Sequence, residues 1–348
     1  MDMKKTYTDI IELTRDQLVS WLTGRGIASY RADQILKWIY LRQADDFEAM
    51  TDLSKDIRAL LADHFSINRL EQVAIETSKD GSQKYLFKLL DRKYIEAVLI
   101  PERDHDTLCV SSQVGCAQGC RFCLTATGGL ERNLTAAEII AQVRDIKNQL
   151  GMPDRLRNIV FMGMGEPLAN YRNLIRAIDV ITDNDAGLRF AGRRVTVSTA
   201  GLVPRLAELG RDTKVNLAVS LNATDNKTRD SLMPLNRKYP LEALLEACRK
   251  YPVAPGRRIT FEYILIKGIN DSQEDARRLA RLLRPIRAKI NLIPFNAHEG
   301  CDYERPDDAV IGRFQEILID KNYTVMIRQS RGRDISAACG QLKSRSCF

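Results

Sequence analysis

TLCVSSQVGCAQGCRFCLTATGG, residues 107–129, runs from a strand-like segment into a loop that carries Cys116, Cys120 and Cys123 in a C-x3-C-x2-C spacing. Three thiolates within eight residues can bind three irons of a [4Fe–4S] cube and leave the fourth iron open. Clusters that only transfer electrons are closed by a fourth cysteine, and none stands at ferredoxin spacing here, so an open iron invites another ligand. Gly115 and Gly119 let the backbone wrap closely around such a cluster, and Phe122 is placed to shield it. Zinc is the competing occupant. It needs a fourth ligand, for which Cys109 and His105 are nearest.

Strand-like and helix-like segments alternate from this stretch onward: TLCVSS then TAAEIIAQVRDIKNQL, NIVFMG then YRNLIRAIDVI, RVTVSTA then VPRLAELG, VNLAVSL then LEALLEACRK, RITFEYILI then SQEDARRLARLL, INLIPF then DDAVIGRFQEILIDK. Six βα units predict an α/β fold with a parallel sheet, a partial (βα)6 TIM-like barrel, since a closed barrel takes eight. Thr135 with Glu138 reads as a capping box, and Ser272 with Asp275 as an S-x-x-D cap. A seventh strand-like run, YTVMIRQS, precedes the tail SRGRDISAACGQLKSRSCF.

Before residue 70 the apolar spacing is helical, in SYRADQILKWIYLR and SKDIRALLADHF; from 70 to 100 it changes to two, in VAIETS, KYLFKLL and YIEAVLI, with a DG turn at Asp80. The expected organisation is a small helical N-terminal domain (1–70), a β-hairpin linker (71–101), the barrel (102–335) and a tail (336–348). At 44% apolar residues the chain can bury a substantial core. No run approaches the roughly 18 apolar residues of a membrane span, and MDMKKTYTDI lacks a signal peptide's apolar centre, so a cytoplasmic protein without a membrane partner is expected. Lys+Arg 53 against Asp+Glu 45 gives a net charge of +8. Residues 1–100 are nearly balanced, so the excess lies in the larger part and suits an RNA partner. His64, His105 and His298 stand too far apart in sequence to suggest a histidine-rich zinc site or a serine triad.

A C-x3-C-x2-C loop after the first strand of a (βα)6 array resembles the radical S-adenosylmethionine (SAM) enzymes. The blocks NIVFMGMGEPL, RVTVSTAGLVP, SLNATDNKTRDSLMPLNRKYPL, TFEYILIKGIND, NLIPFN and RGRDISAACGQL narrow the resemblance to the RlmN/Cfr family of RNA adenine methyltransferases, over nearly the whole chain. The resemblance implies a radical SAM barrel, a [4Fe–4S] cluster on Cys116, Cys120 and Cys123, and SAM used twice. It implies methylation of carbon 2 of adenine 2503 in 23S rRNA and of adenine 37 in tRNAs, with an electron donor such as flavodoxin or a ferredoxin-type reductant. The sister activity, at carbon 8, is the nearest alternative; the Arg-Gly pair at 331–332 favours carbon 2. An iron–sulfur protein that binds RNA without catalysis and a zinc-stabilised RNA-binding module are the other readings.

Residue by residue, the resemblance makes Cys339 the methyl carrier, Cys109 its partner in a transient disulfide and Glu96 the proton acceptor. It assigns Gly165, Glu166, Ser198, Ser220, Leu221, Asn222 and Asn296 to SAM, positions that follow strand ends, where parallel α/β folds bind ligands. Candidate phosphate contacts are Arg193 with Arg194, Arg237 with Lys238, Arg257 with Arg258, and Arg331 and Arg333. Cys248, Cys301 and Cys347 match no role.

Overall fold

The computed structural model describes residues 7–298 and 300–343; Cys347 lies outside them. Ten strands make one mixed sheet: β1 (Glu71–Thr77), β2 (Gln83–Lys88), β3 (Tyr94–Pro101), β4 (Asp106–Cys109), β5 (Leu156–Phe161), β6 (Val195–Thr199), β7 (Asn216–Ser220), β8 (Ile259–Leu265), β9 (Ala288–Pro294) and β10 (Val325–Ile327). Every strand lies beside its predecessor. Strands β1 to β4 pair antiparallel, and β4 to β10 parallel. The six βα units expected from the alternation are present, and YTVMIRQS supplies the short β10. The 71–101 meander is continuous with the barrel sheet: β3 pairs with β4, Val98 opposite Cys109. Period-two alternation announces strands without saying which neighbour they pair with.

Helices α1 (Arg15–Thr23), α2 (Arg31–Tyr40) and α3 (Lys55–His64) form the N-terminal unit. A two-residue parallel bridge, Thr8–Asp9 to Phe65–Ser66, closes it, too short to show as a pattern in sequence. This unit is anchored to α4 (Ala136–Gln149), which buries Ile139, Ile140, Val143 and Ile146 at helical spacing. Asp145 of that helix accepts from Arg69 Nη1 and Leu70 N, each at 2.8 Å. Both caps read from sequence are complete capping boxes, Thr135 with Glu138 and Ser272 with Asp275; the second opens α5 (Gln273–Leu283). Among the described residues no helix is long and apolar enough to cross a membrane.

Candidate active site

Parallel strands bring their C-terminal ends to one edge of the sheet, and two adjoining cavities open there. The first, about 790 Å3, is lined by Cys116, Cys120, Cys123, Gly165, Glu166, Ser198, Ser220, Asn222, Glu262 and Cys339. The second, about 1470 Å3, is lined by Cys109, Asn291, Asn296, Arg328, Arg331 and again Cys339 and Cys123.

The cysteine loop keeps its shape through backbone contacts. Gly115 has φ +76°, and a Cβ there would stand 2.0 Å from the Gly129 carbonyl oxygen, so only glycine fits. Phe122 packs with Leu232, Met233, Ile266 and Phe295 beside Cys120 and Cys123. Burial pushes the Cys116 thiol up to about 12 and raises those of Cys120 and Cys123 as well.

Glu166 caps a 3-10 turn at Pro167–Asn170 and is buried. Its carboxylate accepts from Ala200 N at 2.7 Å and Leu168 N at 3.0 Å, and no cationic side chain among the described residues pairs with it. Burial pushes it up to about 7 against those hydrogen bonds. Its own N–H donates to Gln113 Oε1 at 2.8 Å. A buried carboxylate in an open cavity beside three thiols suits an ammonium group and a cluster, the two things the cofactors require.

Asn222 sits at φ +59° with its amide engaged: Oδ1 accepts from Ile264 N at 2.9 Å, and Nδ2 contacts Met233 Sδ. Its side chain ties the end of β7 to β8. Leu221 is fully buried and lines neither cavity; its carbonyl accepts from Arg229 Nε at 3.0 Å. Arg229 also donates to Ala200 O at 2.7 Å and Ser220 O at 3.3 Å, gathering the ends of β6 and β7.

The tail is strapped down over this edge. Leu124 N donates to Gly340 O at 2.7 Å, Thr125 Oγ1 to Leu342 O at 2.6 Å, and Asn296 Nδ2 to Cys339 O at 3.4 Å. Farther along, Ser78 Oγ donates to Asp334, Gly332 N to Asp80, and Lys84 Nζ to Ile335 O. All seven described cysteines are free thiols. Burial, and then the nearby Cys339, push Cys109 up to about 12. Glu96 lies apart from both cavities. It is buried on β3, where its carboxylate accepts from Lys343 N at 3.0 Å and stands 3.7 Å from Lys84 Nζ.

His105 precedes β4 and Cys109 ends it, so the two proposed zinc ligands stand at opposite ends of that strand. The strand between them keeps them apart, so zinc could draw its fourth ligand beside the three cysteines from only one of them. The arginine pairs divide by the same geometry. Arg193 with Arg194 and Arg257 with Arg258 directly precede β6 and β8, at the end of the sheet away from the cavities, while Arg331 lines the second cavity. Cys248 is a buried core residue, and Cys301 Sγ contacts Arg121 O at 3.8 Å. Sequence reading missed Glu262 and Arg328. The available signal was a lone charge within an apolar strand, in ITFEYIL and in TVMIRQS.

Residues 110–280 match the family model described as the radical SAM superfamily, and residues 8–67 the ribosomal RNA large subunit methyltransferase N-terminal domain. The chain is 61% identical over 334 residues to the dual-specificity RNA methyltransferase RlmN of Desulfosudis oleivorans, covering 96% of this chain and 90% of that protein. It is 55% identical to its counterpart in Geobacter sulfurreducens, covering 98% and 93%. The crystal structure of a radical SAM methyltransferase from Sphaerobacter thermophilus superimposes with a TM-score of 0.90 at 46% identity, over 96% of this chain and 99% of that one. The likeness extends from the N-terminal helices through the cysteine loop to the tail, and on it the chain belongs to the RlmN family of radical SAM enzymes.

Proposed function

We propose that this chain methylates carbon 2 of adenine in RNA, at adenine 2503 of 23S rRNA and adenine 37 of tRNAs, through an S-methylated Cys339. The observation that carries the reading is the position of Cys339, which borders the three-cysteine cavity and the Cys109 cavity at once. The relatives' shared description as dual-specificity RNA methyltransferases supports two RNA substrates.

Carbon 2 of adenine is an electron-poor ring carbon without nucleophilic character, so polar methyl transfer is closed to it. When bound, the cluster and SAM supply a methyl group and a 5′-deoxyadenosyl radical. Cys116, Cys120 and Cys123 would hold the cluster; Gly165, Glu166, Ser198, Ser220 and Asn222 would line the SAM site, with the Leu221 backbone between the last two and Asn296 from the adjoining cavity. Cys339 takes the methyl on its sulfur and presents it to the adenine, which must leave its stack to enter the second cavity. Release requires the Cys109 thiolate to attack the Cys339 sulfur, which forms a disulfide and breaks the S–CH2 bond; the electron pair leaves with that carbon, which takes a proton to become the methyl group, and a reducing cytoplasm resets the disulfide. Half-buried Arg328 faces Cys109 and Cys339, and its positive charge favours the attacking thiolate. Glu96 takes the ring proton once Lys343 frees its carboxylate.

Electrons come from a flavodoxin or a ferredoxin-type donor. Residues 1–70 act as an RNA-binding accessory unit, 71–101 as a linker to the barrel at 102–335, and 336–348 as the methyl-bearing tail. Arg25 over Trp21 and Arg42 over Trp38 give the first unit the guanidinium and aromatic faces that RNA recognition uses. The test is base mapping of 23S rRNA and tRNA from cells with and without the gene. Loss of 2-methyladenosine on deletion is the expected result; loss of 8-methyladenosine, or no change in either RNA, would overturn the proposal.

A further inference from the structure

Glu262 has a task that neither the fold nor the cysteine chemistry explains. It lies in the middle of β8 with its side chain 8% exposed, and it lines the first cavity. Ser198 Oγ donates to Oε2 at 3.1 Å. Oε1 is buried and has no hydrogen-bond partner. Arg328 Nη1 stands 3.6 Å from it, close enough to balance the charge but too far for a good hydrogen bond. A buried carboxylate oxygen that accepts nothing is costly to leave that way, so the cavity is built for an occupant that brings a donor.

The register narrows the choice of donor. Ser220 lies directly opposite Glu262, and Ser198 is opposite Ala218, two residues before Ser220, so all three side chains share one face. Ser198 and Ser220 belong to the proposed SAM site, as does Glu166 in the same cavity. A ribose offers two neighbouring O–H donors, and acidic side chains bind ribose hydroxyls this way in dinucleotide folds. We propose that Glu262, steadied by Ser198, accepts the ribose hydroxyls of SAM and sets the position of the nucleoside in the cavity. This rests on the SAM reading of the site.

The experiment is equilibrium binding by calorimetry under anaerobic conditions, using cluster-loaded enzyme with SAM and with its 2′-deoxy and 3′-deoxy ribose analogues. The wild-type enzyme is expected to bind at least one analogue about ten- to a hundredfold more weakly than SAM, as for a lost hydrogen bond to a charged group. Glu262→Ala should weaken SAM and erase that preference. Glu262→Gln preserves the shape and one acceptor, and should weaken SAM about tenfold with the cluster absorbance unchanged. Equal wild-type affinity for SAM and both analogues, or a preference that survives in Glu262→Ala, would overturn the inference. So would unchanged SAM affinity with weakened RNA binding in Glu262→Gln, which would assign the carboxylate to the amino group of the target base. Failure of the wild-type holoenzyme to bind SAM at all would overturn the reading beneath it instead.

Discussion

Gly165→Ala should disturb both the proposed SAM site and the local fold, because the added methyl displaces the backbone that carries Glu166. Gly165 has φ +97°, and a Cβ built there meets Gln113 Cβ at 2.5 Å, its Cγ at 2.7 Å and its backbone nitrogen at 2.9 Å. Gln113 cannot swing aside. Its Nε2 donates to Asn133 Oδ1 at 2.7 Å, its backbone N to Met164 O at 3.2 Å, and its Oε1 accepts from Glu166 N. A left-handed backbone on an alanine costs roughly 1–2 kcal/mol, and an added methyl in a packed site costs typically 1–3 kcal/mol. The sum is about 2–5 kcal/mol, enough for the segment to shift rather than keep its place. Because Gln113 grips the Glu166 N–H, that shift moves the carboxylate. Losing a charge-assisted contact to SAM should weaken binding about ten- to a hundredfold. The assay is SAM calorimetry on cluster-loaded protein together with thermal melting. Gly151→Ala, where the added methyl meets nothing within 4 Å, serves as control and should change neither. Wild-type SAM affinity and melting in Gly165→Ala would refute the reasoning.

Two further outcomes test the chemistry. Cys109→Ala should still methylate Cys339 but stall as a covalent protein–RNA adduct through Cys339, whereas Cys339→Ala should give neither adduct nor product; denaturing electrophoresis with labelled RNA and peptide mass analysis read both, and normal release from Cys109→Ala would refute the role of that thiol. Glu166 in the apo site is raised from 4.5 to about 7, so the stability its protonated form provides is fully present below 4.5 and is lost as pH rises through 7. An ammonium group pulls the carboxylate back to its ionised form, so SAM binding at pH 6 should release about one proton more from wild type than from Glu166→Gln, and the difference should vanish near pH 8.5. Calorimetry in buffers of different ionisation heat measures this, and an equal proton count in the two proteins at pH 6 would contradict it.

The parts of this molecule legible in sequence are those fixed locally. The cysteine spacing, the six βα alternations and both capping boxes each depend on residues within a few positions of one another, and each is present. What was not legible depends on register. Nothing in YIEAVLI says that β3 will pair with β4 and carry the meander into the barrel sheet. Arg193 with Arg194 looks like any basic pair until the direction of β6 places it at the far end from the cavities. Glu262 carries no motif that marks it in sequence, and only the pairing of β7 with β8 places it beside Ser220. Asn222 was assigned to SAM from its block, while its side chain also holds β8 through Ile264 N, a bond to a residue 42 positions away.

The strapped tail bears on how the protein is made. Because each strand of the sheet pairs with the one just before it, most of the scaffold can assemble in the order of synthesis. The Cys339 segment breaks that order. Its anchors reach back to Ser78, Asp80 and Lys84, and the bond from Ser78 Oγ to Asp334 spans 256 positions. On the proposed roles, a growing chain therefore displays Cys116, Cys120 and Cys123 long before Cys339 exists, and the segment that would carry the methyl joins a sheet able to form without it. A chain cut short after β10 would retain the cysteine loop together with Gly165, Glu166, Ser198, Ser220 and Asn222 while lacking the sulfur proposed to carry the methyl.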